Sequence, residues 1–451
     1  MTEVGGSSSG PALTPVEAHG RGPSTWVALG LFTAALVALV GISLVGRSGD
    51  RPGPQAAGAS PAAMPVATPA PTAPPTPPAG TPPPRVAVAV GPVPTCPPGS
   101  TPDTPGPVDQ ARPYGLSGMA GLGRMAFDRR AGRLVALAGD LTSPVETWTF
   151  DVCTNSWTRM HPDQEPPGGT YGLVYDVDSD VTIATGWSQK LIGERMWAYD
   201  LEANTWTEKG DGPPIDTGLR FYDAVSGHVV ALGDDGDDDT VGMALWSYEV
   251  ETDAWTPIPQ ADRLAVGPHY EFFAYDASVD RLVAYTRACP YCDNVDNPSP
   301  PRWARTWLFD LRTGTWSGTS AVAQPDFNAG LWGHVPAIAY DEAAERTVIL
   351  GQGHSAAYDA TADRWETLYG GSISEDWWAA CGIRPECRQL HFMVYDPVNE
   401  RLLVFGGFLT ATEPEVELDD ILAFDTRTRE WTVLLEASQP ATPEVPPSPG
   451  E

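Results

Sequence analysis

Four histidines stand at related distances from acidic residues downstream. His269 and His334 each lie seven positions before Asp276 and Asp341, and His391 lies five before Asp396. His354 sits in a short polar break between two apolar runs. Imidazoles gathered this way can coordinate a metal at about 2 Å, contact a ligand, or cap loops by hydrogen bonding. Capping is the expected role, with ligand contact the alternative. Trp303, Trp332, Trp377 and Trp378 fall in polar or Gly/Pro-rich stretches. Such rings either pack onto underlying structure or offer a stacking surface to a sugar or peptide. These eight residues form the candidate ligand-binding set. Asp234, Asp235, Asp237, Asp238 and Asp239 crowd into one run, and Asp176, Asp178 and Asp180 alternate in another. Calcium wants roughly six to eight oxygens in fixed directions. The first run lacks the full EF-hand spacing and its terminal Glu. A solvated acidic turn is the first reading of each, and a calcium site the second.

The six cysteines are Cys96, Cys153, Cys289, Cys292, Cys381 and Cys387. All fall in expected turns, loops or linker, whereas free cysteines usually hide in cores. An even set outside the core suggests oxidised pairs, with Cys96–Cys153, Cys289–Cys292 and Cys381–Cys387 expected. Cys289-Pro-Tyr-Cys292 resembles a redox CxxC. That chemistry normally needs a helix N-terminus to lower the thiol pKa, and a Pro-rich stretch follows instead, so a loop staple is expected. Neither HExxH nor a nucleophile elbow occurs, and no catalytic residue is assigned. The formal charge of −31 argues against nucleic-acid binding, which needs a basic surface.

The elements that must carry these residues repeat. Val394–Thr432 reads as four strands: one ending in Tyr395-Asp396, a second running into Gly406-Gly407, a third ending in Phe424-Asp425, and a fourth carrying Trp431. First strands end at Asp128, Asp176, Asp223, Asp276, Asp341 and Asp396, and third strands at Asp151, Asp200, Glu249, Asp310, Asp359 and Asp425. Trp157, Trp206, Trp255, Trp316, Trp365 and Trp431 each lie six residues after the third-strand acid. Four-stranded repeats of about 50 residues point to a propeller. The six tryptophans are expected between blades, and the acids are expected to start turns.

Glycines after the second strand, then aromatic-Asp, then Trp, resemble the kelch motif across about 115–435. The copies are degenerate: only Gly406-Gly407 keeps both glycines, and Thr286-Arg287 keeps neither. The resemblance implies an all-β, six-bladed kelch-type β-propeller. Galactose-oxidase-like members imply a copper site of two Tyr and two His, one Tyr cross-linked to Cys. This sequence has no evident unpaired Cys beside such a Tyr, and no sialidase-type SxDxGxTW box.

The expected organisation is a disordered tail over 1–24, a transmembrane anchor helix over 25–46, a Pro/Ala/Thr-rich linker over 47–113, the propeller over 114–436 and a disordered tail over 437–451. Trp26–Val45 is uncharged and spans a ~30 Å hydrocarbon core at about 1.5 Å per residue. It is longer than a usual signal h-region, so a retained anchor is expected. Arg47 and Arg51 lean toward a cytoplasmic C-terminal side. The cysteines and the Pro-rich stalk argue the reverse, and an extracytoplasmic propeller is the expectation.

In an up-and-down blade, the connections between blades and the second-to-third-strand loops share one face. Thr286–Arg305, Ser317–Val335, Glu366–Leu390 and Gly406–Asp420 are long and gather there, around blades 4–6. The function expected is a membrane-tethered module binding a protein, peptide or glycan through that rim. A carbohydrate-active enzyme on the same rim is the alternative and needs two carboxylates about 5–9.5 Å apart. A ligand-free spacer is the third reading.

Overall fold

One hairpin design is used twelve times. The computed structural model describes residues 93–113, 124–139, 144–188, 193–213, 215–234, 244–261, 271–286, 305–319, 337–351, 354–370, 388–389, 391–409 and 416–438. All lie within the single compact unit Ala79–Glu451. Each first-to-second and third-to-fourth strand hairpin starts with an acid. Eleven of these acids are Asp, and every one accepts a backbone N–H from two or three residues onward. The residue four after the acid always has positive φ: Gly132, Asn155, Asp180, Asn204, Gly227, Asp253, Asp280, Gly314, Glu345, Asp363, Glu400 and Arg429. A four-residue loop closing through a left-handed residue returns the chain in register, and nine of these twelve are the Gly, Asn or Asp that tolerate that conformation.

The hairpin explains the tryptophan spacing. Each Trp falls directly opposite the aromatic residue that precedes the acid, as in Phe150↔Trp157, Tyr358↔Trp365 and Phe424↔Trp431. Ring centroids are 4.6–5.1 Å apart in all six copies. Where the aromatic is Tyr and the left-handed residue is Asp or Asn, the hydroxyl donates across the loop, as from Tyr199 to Asn204 and Tyr248 to Asp253, both at 2.7 Å.

The chain folds as a six-bladed β-propeller. Six antiparallel sheets each run from an innermost first strand to an outermost fourth. The innermost strands are Met125–Asp128, Thr170–Asp176, Asp216–Asp223, Glu271–Asp276, Ala337–Asp341 and Phe392–Asp396. Each lies beside that of the next blade, and the first lies beside the last. Blade 6 adds a short strand, Arg388–Gln389, on the far end of Arg401–Leu409.

Every Trp reaches the preceding blade, as expected. Trp206 Nε1 donates to Thr147 Oγ1 and Trp365 Nε1 to Thr306 Oγ1, both at 2.7 Å. Trp255 Nε1 points at Met196 Sδ, at 3.2 Å. All three acceptors occupy the same third-strand position, four before the acid. Trp157 closes the circle edge-on to Phe405 of blade 6, at 5.9 Å.

The seam between blades 1 and 6 carries an addition that composition hides. Residues 93–113, expected as the end of a linker, lie along this seam and hold both blades. The Cys96–Cys153 disulfide is present as expected. Asn155 Nδ2 donates to Pro102 O and Thr104 O, and the Trp157 amide to Gln110 Oε1. On blade 6, Arg401 pairs with Asp103 at 2.8 Å and donates to Pro102 O, while the Gly106 amide donates to Leu434 O. Gly106 is so close that a Cβ would sit 1.8 Å from Asn155 O. Proline removes amide donors, but carbonyls and side chains suffice for this attachment. The anchor segment Trp26–Val45, the tail 1–24 and residues 439–451 of the C-terminal tail lie outside the described residues. Among those described, no helix is long and apolar enough to cross a membrane.

The first-strand acids are buried, and burial raises the pKa of Asp128, Asp176, Asp276, Asp341 and Asp396 against partial relief from backbone amides. Burial raises Glu165 likewise. For Asp310 and Asp425 burial also acts upward, but turn amides and nearby arginines outweigh it and hold both below the ordinary value.

Two outcomes follow. Trp365→Ala should cost about 3–5 kcal/mol and Thr306→Val, which removes only the acceptor, about 1–3 kcal/mol, read as shifts in denaturant midpoint. The six raised groups bind protons more tightly in the folded state. Their contribution is complete below the unfolded pKa, 3.8 for Asp and 4.5 for Glu, and is lost as pH rises through the folded values. The contribution of Asp310 and Asp425 is present above 3.8 and lost below it. Thermal midpoints should therefore rise from pH 7 toward about pH 4 and fall at lower pH. A midpoint falling steadily from neutrality would refute this.

Candidate functional site

The two faces of the ring differ. One carries the twelve acid-started hairpins, all short. There Arg129, in the first hairpin of blade 1, forms a two-point ion pair with Glu342 of blade 5. The partners belong to blades that are not neighbours in the ring, so the pair bridges past blade 6 on the hairpin face. Arg130 also pairs with Asp180 of blade 2, at 2.6 Å. The acids of this face are engaged in structure. Asp176 accepts the Ser179 amide, and Asp180 accepts from Tyr175 and Arg130. Among the described residues, no group of three or more His, Cys, Asp or Glu is arranged to hold a metal.

The opposite face carries the remaining connections. His269, Trp303, Trp332, His334, Trp377 and Trp378 lie outside the described residues. So do Asp235, Asp237, Asp238 and Asp239, together with Cys289, Cys292, Cys381 and Cys387; Asp234 is described only as the last strand residue of His228–Asp234. Two of the eight candidate ligand residues are therefore placed. His354 opens the third strand of blade 5, opposite Gly351 and Gly370, and is half-buried. His391 immediately precedes the innermost strand of blade 6 and is 4% exposed. It belongs to the interior rather than to an open rim.

Its setting explains why. Burial, with Arg388 beside it, pushes the His391 imidazole down to about 3, so the ring is neutral. The Leu350 backbone of blade 5 lies near and favours the charged form slightly. Neither ring nitrogen, however, has a partner of good hydrogen-bond geometry. Arg388 itself forms a two-point pair with Asp420, each contact 2.6 Å, and donates to Gly406 O. Both side chains are almost fully buried. This cluster of His391, Arg388 and Asp420 lies at the loop-bearing end of blade 6.

Arg388 and Asp420 were not among the sequence-derived candidates, because Gly406–Asp420 reads as one loop. Instead strands Arg401–Leu409 and Val416–Asp425 continue into it. Gly406 and Gly407, with φ of 59° and 91°, make a bulge at which the register shifts rather than a strand end. The alternation Val416-Glu417-Leu418-Asp419 was the available signal.

No family model matches the chain. Among solved structures, the chain is similar to SapL1 lectin in complex with α-methyl fucoside, at 12% identity, covering 74% of this chain and 99% of that one, with a TM-score of 0.43. It is also similar to a chain of a nidogen/laminin complex, at 10% identity, covering 54% and 78% respectively, with a TM-score of 0.36.

Breaking a buried ion pair from one side leaves an uncompensated charge, which typically costs about 3–5 kcal/mol. Asp420→Asn should therefore lower the denaturant midpoint by that amount. The double change Arg388→Leu with Asp420→Leu should recover most of the loss. A double variant as unstable as the single one would show that the pair is not the source.

Proposed function

We propose that this protein is a kelch-type propeller, tethered to a membrane by Trp26–Val45, that binds a protein, peptide or glycan through the loops of blades 4–6 on the extracytoplasmic side. The observation that carries the reading is the asymmetry of the ring. On the hairpin face the acids cap their own turns and Arg129–Glu342 bridges blade to blade. Long connections are confined to the opposite face, and binding residues concentrate on loops held by a rigid scaffold. The kelch assignment is supported by the paired glycines at 406 and 407, the aromatic-Asp strand ends and the Trp set opposite the aromatic. The tether is supported by the uncharged stretch at 26–45. The extracytoplasmic side is supported by the Cys96–Cys153 bond, since disulfides persist in oxidising compartments.

The test is a paired screen of glycan and peptide arrays. Wild-type protein is compared with a variant carrying Trp377→Ala and Trp378→Ala and with one in which 371–387 is replaced by a short Gly/Ser loop. Aromatic anchors dominate binding energy where they make contact, so at least a tenfold loss of affinity for any captured ligand is expected, with unchanged thermal midpoint for the Trp pair. Undiminished binding by both variants would place the site elsewhere.

A further inference from the structure

We infer that Cys96–Cys153 is a thiol–disulfide exchange site that locks the ring at the seam between blades 1 and 6, so that a dithiol reductant opens this seam before any other. The first observation is that the seam is built differently from the rest. At five seams the residue before the first-strand acid is Tyr: Tyr175, Tyr222, Tyr275, Tyr340 and Tyr395. Its side chain lies by the acid of the preceding blade. Tyr275 Oη is 3.4 Å from Asp223, Tyr175 hydrogen-bonds Asp128, and Tyr222, Tyr340 and Tyr395 feel Asp176, Asp276 and Asp341. At the sixth seam the equivalent residue is Phe127, which has no hydroxyl. Asp396, fully buried there, is answered from its own blade by Asn399 and Arg401.

The second observation is that Arg401 is shared with the strap. In blades 1, 4 and 5 the arginine opening the second strand pairs with the third-strand Asp, as in Arg133–Asp151, Arg281–Asp310 and Arg346–Asp359. Arg401 instead joins Asp396 to Asp103. Strap residues also stand in for the segment that elsewhere leaves one blade and caps the outer hairpin of the next. Met160 O accepts from Asn204, and the Gly210 amide donates to Asp253. Blade 1 has no preceding blade in sequence, and Pro102 O and Thr104 O accept from Asn155 in the corresponding way. Pro94 completes the arrangement, lying where a Cβ on Gly132 of blade 1 would meet both it and Val398 of blade 6.

The third observation is access. Both cysteines are half-buried, Cys153 at the edge of the core, and most of the strap between Thr95 and Ala111 is exposed. Its attachment is polar, and in the Arg401–Asp103 pair the arginine is buried but its partner Asp103 is 79% exposed, so solvent screens the pair and it contributes little on its own. The covalent bond is what keeps these weak contacts at high effective concentration. In the exchange, one thiolate of a dithiol attacks a sulfur of the Cys96–Cys153 bond and forms a mixed disulfide. The second thiol then displaces the protein sulfur. Two electrons and two protons pass to Cys96 and Cys153 as thiols, and the dithiol leaves as a disulfide.

The experiment is hydrogen–deuterium exchange of the full chain with and without dithiothreitol, alongside the variant carrying Cys96→Ala and Cys153→Ala. The Trp157 amide, held by Gln110, and the strands Met125–Asp128 and Phe392–Asp396 should exchange at least tenfold faster after reduction. His228–Asp234 of blade 3 should change less than twofold. The variant should show this pattern without reductant and no further seam change with it, which separates this bond from the other cysteines. Acceleration confined to 93–113, equal acceleration in all six blades, or cysteines 96 and 153 still unreactive to iodoacetamide after native-state reduction would each overturn the inference. The reductant arm stands alone if the variant fails to fold.

Discussion

A short carboxylate that accepts its own turn's backbone amides is the interaction on which the ring depends. Fixing the acid at the end of a strand fixes where the left-handed residue comes, four positions later. That sets the return register, and the register sets Trp opposite Phe or Tyr. From that position the indole of blades 2, 3 and 5 reaches the third strand of the preceding blade at one constant place, occupied by Thr147, Met196 or Thr306. A local hydrogen bond worth about 1 kcal/mol thus positions side chains whose burial is worth several times more. The order of magnitude matters. Packing between blades holds the ring, while the turn acids decide that the packing falls in register. Burial raises the pKa of Asp128, Asp176, Asp276, Asp341 and Asp396, and the amides they accept are what makes that burial tolerable.

Five seams can be made by the same rule applied from one repeat to the next. The sixth cannot, because it joins blade 6 back to blade 1, which are neighbours in the ring but not consecutive in the chain. Propellers can close with a strand from the opposite terminus, but each blade here is completed from its own repeat. Trp157 on Phe405 supplies the apolar part of closure, within a core continuous from Met125 to Leu435. The polar part comes from an irregular segment rather than from a strand. Asn155 shows how the repeat was adapted. In blade 2 the corresponding Asn204 accepts from Tyr199 of its own hairpin and donates its amide to Met160 O, whereas Phe150 has no hydroxyl to offer and Asn155 keeps only the donation, to Pro102 O and Thr104 O.

How much of this was legible follows from the range of each signal. The six blades, the seam tryptophans, the turn acids and the Cys96–Cys153 pair were readable, because each is a repeated spacing or a paired residue type. The left-handed position was equally periodic yet went unread, since Glu345, Glu400 and Arg429 interrupt its Gly/Asn/Asp character. The strap was misread for a physical reason: a Pro-rich stretch cannot form a ladder, but it can dock through carbonyls. Arg388 and Asp420 were missed because a charge beside a loop reads as solvated, and only the fold brings two of them together out of water. His391 was selected by spacing alone, which places a residue along a strand but cannot say whether blade 5 will cover it.

That covering narrows what the loop-bearing end of blade 6 can do chemically. A neutral imidazole, a guanidinium already matched by a carboxylate and a glycine carbonyl already accepting from that guanidinium leave little free charge. Such a cluster stiffens the root of the 371–387 and 410–415 connections rather than presenting reactive groups. Stiff roots matter for recognition, because a loop anchored at both ends loses less conformational entropy when it meets a ligand. The same asymmetry therefore accounts for both ends of the ring. One face spends its acids on geometry, and the other spends a buried ion pair on holding the base of the connections that differ most between blades.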